Sequence, residues 1–131
     1  MADFNDNVIS IKNIDAQTIV ASGSFTTKAI NVDLRKLMGN ITLQVKVTGT
    51  GTAKFEWEQS NNFVPETGVG DWVKPVSGFS IATGFTATSG TATNGMDLLP
   101  MPMYNSQFFR VVVTETGGVN PIVVNAWLSM Q

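Results

Sequence analysis

Two stretches of strict alternation constrain this chain more than any other feature. In Ile41-Thr42-Leu43-Gln44-Val45-Lys46-Val47-Thr48, and again in Thr52-Ala53-Lys54-Phe55-Glu56-Trp57-Glu58-Gln59, the odd positions are apolar up to the closing Gln59 and the even ones polar or charged. A period of two marks a strand with one buried face, because successive side chains of an extended chain point to opposite sides. Joined by Gly49-Thr50-Gly51, the two stretches read as a hairpin with Ile41, Leu43, Val45 and Val47 facing inward. The register is open. Pairing Thr48 with Thr52 sets Lys46 opposite Lys54, whereas a shift of two sets Lys46 opposite Glu56, the arrangement that cross-strand charge favours.

A second ribbon spans 107–114 and 121–130 around Glu115-Thr116-Gly117-Gly118-Val119-Asn120. One face carries Phe109, Val111, Val113, Ile122, Val124, Ala126 and Leu128. The other is not cleanly polar, because Phe108, Val112, Val123 and Trp127 stand there beside Arg110 and Asn125. Both sides of this ribbon therefore need cover, from a second sheet or a neighbouring subunit. Further strands are expected at 8–11, 18–25, 29–34 and 79–88. The only helical turn expected is Arg35-Lys36-Leu37-Met38, stopped by Gly39-Asn40. The segments 61–77 and 89–95, punctuated by Gly, Pro and Asn, read as exposed loops. Seven or eight short strands with turn signals between them predict an all-β fold, an antiparallel two-sheet sandwich of jelly-roll type, with an immunoglobulin-like Greek key as the alternative.

With 131 residues the chain has room for a single domain, with residues 1–7 as a polar N-terminal arm. That arm lacks the basic and apolar regions of a signal peptide, and no apolar run approaches the roughly 20 residues that span a bilayer, so neither general export nor a membrane anchor is expected. Charged residues make up only 14% of the chain, which is low for a domain bathed in water on all sides. Eight basic against ten acidic side chains provide no basic surface for nucleic acid.

The catalytic inventory is thin. With no Cys and no His, the chain lacks thiolate chemistry, the commonest general base and the commonest metal ligand. Glu56 and Glu58 stand on one strand face, about 6.5 Å apart by strand rise, a separation that a glycosidase pair would use. They alternate with the apolar series, however, and belong to the solvated side. The reading is of a non-enzyme that needs no cofactor. One loop invites a ligand: Trp72 follows Asp71, and an indole beside a carboxylate stacks on and hydrogen-bonds a sugar, with Asn61 and Asn62 as further partners. A loop tryptophan that covers one end of the sandwich, or anchors a neighbour, is the more ordinary explanation. The run Leu98-Leu99-Pro100-Met101-Pro102-Met103-Tyr104 is barred by its prolines from a central strand. It lies extended at an edge, either offering Leu99, Met101 and Met103 as an adaptable contact patch or folding over its own core.

Three segments carry a resemblance: Ser24-Phe25-Thr26-Thr27-Lys28-Ala29-Ile30-Asn31-Val32-Asp33-Leu34, Leu43-Gln44-Val45-Lys46-Val47-Thr48-Gly49-Thr50-Gly51-Thr52-Ala53-Lys54 and Arg110-Val111-Val112-Val113-Thr114-Glu115-Thr116-Gly117-Gly118. In these strand-and-turn patterns, over about residues 17–131, the chain resembles small β-sandwich structural proteins of bacteriophage virions. The resemblance implies a capsid-decoration, head-fibre or tail-associated subunit, assembled in the host cytoplasm into a homo-oligomer, a trimer being one candidate, and contacting other virion proteins. It brings no catalytic residues. The residues themselves agree in kind, since low charge and a two-faced ribbon describe a surface meant to be covered, with Phe108, Val112, Val123, Trp127, Leu99, Met101 and Met103 as the expected contacts. A carbohydrate-binding module using Trp72, Asp71, Asn61 and Asn62 is the competing function.

Overall fold

A computed structural model describes residues 9–31, 41–75, 81–102 and 106–130. The expected N-terminal arm, the helical turn at 35–38 and Met103 lie outside them. The described chain is all β, with strands β1 (Ile9–Ile19), β2 (Ser24–Thr26), β3 (Ile30–Asn31), β4 (Ile41–Gly49), β5 (Ala53–Ser60), β6 (Ala82–Phe85), β7 (Met96–Pro100), β8 (Phe108–Glu115) and β9 (Ile122–Met130). They form two sheets. Sheet A runs β1-β9-β4-β7, and sheet B runs β2-β8-β5-β6 with β3 also paired to β8. Every pairing between these strands is antiparallel.

This order is that of a jelly roll, and it corrects the local pairing expected from sequence. Neither alternating ribbon is a hairpin. β4 lies in sheet A and β5 in sheet B, while β8 lies in sheet B and β9 in sheet A. Each pair is joined by an arch that carries the chain across the sandwich. β4 pairs with β9 from Ile41↔Met130 to Gly49↔Ile122, and β5 pairs with β8 from Ala53↔Glu115 to Ser60↔Phe108. The links β1–β2 and β6–β7 cross between sheets in the same way. The molecule is thus a four-stranded ribbon folded in half, with four arches at one end.

Alternation permits this as readily as a hairpin. In a hairpin the two apolar faces lie side by side on one sheet; across an arch they confront each other and fill the interior between sheets. The buried series Leu43, Val45 and Val47 of β4 thus helps close one core with Phe55 and Trp57 of β5, Val111 and Val113 of β8, and Val124, Ala126 and Leu128 of β9. Phe85 closes its β6 side, edge-on to Phe55 with centroids 5.8 Å apart. The expected pairing of Lys46 with Glu56 does not occur: Lys46 stands beside Asn125 and Met96 on the outer face of sheet A. The strand expected at 18–25 is broken at Val20–Gly23, where the first arch crosses from β1 to β2.

Between β2 and β3 the ladder to β8 is bridged by the buried Thr27. Its N–H donates to the Val111 carbonyl and its Oγ1 accepts from the Val111 N–H, both at 2.9 Å, so the side chain replaces a missing backbone acceptor. The proline-containing segment behaves as expected of an edge. β7 is the last strand of sheet A, and Met101 continues it through a hydrogen bond from its N–H to the Ile41 carbonyl.

Candidate functional site

Three regions could carry function: the arch end, the outer face of sheet B with its loop, and the outer face of sheet A. The arch end is organised by a residue that sequence reasoning treated as a turn. Glu115 is almost wholly buried, in the inward phase set by Phe109, Val111 and Val113. Its Oε1 accepts from the N–H groups of Ser22 (3.0 Å) and Gly118 (2.7 Å), and its Oε2 from those of Thr52 (2.9 Å) and Gly117 (2.7 Å). One carboxylate therefore fastens three of the four arches. These backbone donors, led by Ser22, Thr52 and Gly118, outweigh its burial and lower its pKa to about 2. An acidic residue in the apolar phase of a strand was the available sequence signal.

On sheet B, cover comes from the chain itself. Residues 61–75 leave β5, turn through a short Val64–Val69 bridge, and return to pair Val73 with Gln59 through two backbone hydrogen bonds. On the way Phe63 lies against Phe108 (centroids 5.3 Å apart) and against Trp72 (5.2 Å), while the Arg110 guanidinium lies 4.2 Å from the Trp72 ring centroid. Arg110 also donates to Glu58 at 2.8 Å. Glu56 sits between Lys74 (3.0 Å) and Lys54 (3.2 Å). Burial pushes the Glu56 pKa up, but the two lysines outweigh it and hold it below the ordinary value. The carboxylate pair considered for glycoside cleavage is thus engaged in ion pairs with cations of the same face and the loop above it.

This arrangement corrects two expectations. Phe108 is buried beneath Phe63 rather than offered to a neighbour, and Val112 is half-buried on the same face. Trp72 is half-buried, with Phe63 and Arg110 against its ring, so it is not an open stacking platform. The other residues named for a sugar do converge. Asn61, Asn62 and Asp71 line a pocket of about 430 Å³ together with Gln59, Ser60, Val73, Pro75 and Ser106. Asn62 donates to Asp71 Oδ2 at 2.9 Å, and the Asp71 N–H donates back to Asn62 Oδ1 at 2.8 Å. The Gln107 N–H donates to Asn61 Oδ1 at 2.8 Å.

The outer face of sheet A is of a different kind. The register places Val123, Asn125, Trp127 and Ser129 of β9 beside Thr42, Gln44, Lys46 and Thr48 of β4, with Met96, Leu98 and Pro100 of β7 alongside. Lys46 is the one charged residue among these, and β1 adds Lys12 beside Trp127 on the same face. Trp127 is half-buried, with the Lys12 ammonium 5.4 Å from its ring centroid, and Val123 is half-buried. Leu98 is 62% exposed. The contact patch expected from the proline-rich run is accordingly reassigned. Leu99 and Met101, 7% and 1% exposed, point into the core, because the register sets Leu99 beside Leu43 and leaves Leu98 outside.

No protein-family model matches the sequence, and no curated protein matches it. Solved structures do. The VP2 subviral particle of infectious bursal disease virus aligns over 94% of this chain with a TM-score of 0.53 and 10% identity. The Gx strain of the same virus aligns over 94% with a TM-score of 0.50 and 13% identity. PliG of Aeromonas hydrophila, a periplasmic inhibitor of g-type lysozyme, aligns over 95% of this chain and 86% of its own, with a TM-score of 0.47 and 12% identity. The chain spans 31% of the length of each of the two viral chains. At such identities the likeness extends to the two-sheet fold alone.

Proposed function

We propose that this chain is a non-enzymatic structural subunit of a bacteriophage particle, self-associating through the outer face of sheet A and contacting capsid or tail components through its loops. One observation carries the reading. The outward residues of sheet A include Trp127, Val123, Leu98 and Met96 with two charges, Lys46 and the Lys12 of β1 that pairs with Asp15, whereas the outward face of sheet B is crowded with Lys54, Glu56, Glu58 and Arg110 and has its own loop over it. Depletion of charge with retention of aromatic and Met residues is the composition of an interface core. The virus-particle fold likeness is compatible with such a role. A carbohydrate-binding module built on Trp72 is the weaker reading, since Phe63 and Arg110 occupy its ring.

Sedimentation velocity tests the proposal. The wild-type chain is expected to run as a closed oligomer at micromolar concentration, and Leu98→Lys or Val123→Lys to dissociate it while leaving the far-ultraviolet spectrum unchanged. A wild-type chain that stays monomeric to about 100 μM, a concentration at which even weak specific contacts populate, overturns it.

A further inference from the structure

The pocket at the end of sheet B plays no part in assembly through sheet A. We propose that it binds a neutral saccharide. Its floor is the first reason. Gln59, Ser60 and Ser106 are buried there, three of the six buried polar or charged residues among those described. Burying hydroxyl and amide groups is costly unless each is satisfied. Here Gln59 Nε2 donates to Ser106 Oγ, Ser106 Oγ donates to the Phe108 carbonyl at 3.2 Å, and Ser60 Oγ donates to Asn62 Oδ1 at 3.1 Å. The floor thus carries two short hydrogen-bonded chains, and the one from Ser60 reaches the rim at Asn62.

The rim supplies the recognition chemistry. Asn61, Asn62 and Asp71 are exposed yet held by the reciprocal Asn62–Asp71 hydrogen bonds and by the Gln107 N–H, so ordering them on binding costs little entropy. Among the described residues, Asp71 Oδ1 and Asn61 Nδ2 make no hydrogen bond. They are one acceptor and one donor, the two complements required by a hydroxyl that donates to a carboxylate while accepting from an amide. Val73, 63% exposed, and Pro75 add apolar wall for the C–H face of a sugar ring. The volume falls within the range of small-molecule sites. Among the described residues, Asp71 is the only charged one in the lining, which selects against uronates, sulfates and phosphates. A single carboxylate does not provide the pair that glycoside hydrolysis uses, so the site binds without cleaving.

The test is titration of the ¹⁵N-labelled full chain, followed through its side-chain amides, with methyl glycosides of glucose, galactose, mannose and N-acetylglucosamine, their common disaccharides, and glucuronate. At least one neutral saccharide is expected to shift the Asn61 and Asn62 amide signals. Asn61→Asp keeps the acceptor for Gln107 and deletes the donor; Asp71→Asn keeps an acceptor for Asn62 and deletes the charge. Each is expected to weaken binding about tenfold, the loss of one hydrogen bond to a charged or pinned group, with the remaining spectrum unchanged. Leu98→Lys is expected to bind as wild type, which separates this site from the assembly face. Three results overturn the proposal: no neutral sugar shifts these signals at tens of millimolar, where a Kd in the millimolar range would saturate; glucuronate binds better than glucose; or both rim variants bind as wild type.

Discussion

A carboxylate that accepts four backbone N–H groups makes Glu115 the residue on which the arch end depends. Its linkage to pH has a definite sign. The unfolded chain takes up the proton near the ordinary value of 4.5, whereas the folded chain resists until about 2. Between these values the unfolded state binds more protons, so stability rises with pH, is fully present above about 4.5 and is lost as pH falls toward 2. Thermal midpoints measured in steps from pH 7 to pH 2 should fall most steeply in that window. Glu115→Gln should unfold at lower temperature at pH 7, because its amide sets donors against donors, and should show a flatter acid limb. Glu56, also held below its ordinary value, leaves a residual slope of the same sign. Superimposable acid limbs for the two proteins would sink the assignment of Glu115 as the staple. Its role was half legible in the sequence, since an acid at the inward position after Phe109, Val111 and Val113 has to find donors. Which donors it finds depends on arches brought together only by the fold.

At the scale of elements, the arches are packed closely enough to reject a methyl group. A Cβ on Gly51 would stand 2.4 Å from the Asn120 carbonyl oxygen and 2.8 Å from Ile122 Cγ2. Gly51→Ala is therefore expected to cost about 1–3 kcal/mol by overpacking, read as a shift in urea midpoint at constant slope. Gly68, in the turn of the 61–75 loop, has open space around it but a φ of +70°. Gly68→Ala should cost no more than the roughly 1–2 kcal/mol of left-handed strain. In the core strands, Leu128→Ala on β9 removes a fully buried side chain between the sheets and should cost about 2–5 kcal/mol. The strands and their inward faces were legible because period two reports burial directly. Sheet membership was not: a hairpin and an arch leave the same alternation, and the choice rests on the long pairings β4 with β9 and β5 with β8, which no local window contains. The rim of the pocket was legible as the polar residues Asn61, Asn62 and Asp71, while its floor was hidden in the final residues of β5 and in Ser106.

For the whole molecule, the two outer faces set different rules for what it meets. The charges of sheet B are consumed within the chain, Glu56 by Lys54 and Lys74 and Glu58 by Arg110, which itself lies against Trp72. Sheet A presents Trp127, Val123, Leu98 and Met96 with two cations, Lys46 and Lys12, the latter beside Trp127 and paired with Asp15 at 2.9 Å. An interface formed there gains by removing apolar surface from water, not by pairing charges, so its strength should depend little on ionic strength. Screening lengths shrink from about 30 Å to about 3 Å between 0.01 and 1 M salt; an association resting on ion pairs would weaken steeply across that range. The dissociation constant from sedimentation equilibrium is therefore expected to change by less than about threefold, under 1 kcal/mol, over that series. Binding should also show a negative heat-capacity change by calorimetry, the mark of apolar burial. Steep weakening with salt would transfer the contact from sheet A to the charged loops, and Leu98→Lys would then leave the oligomer intact.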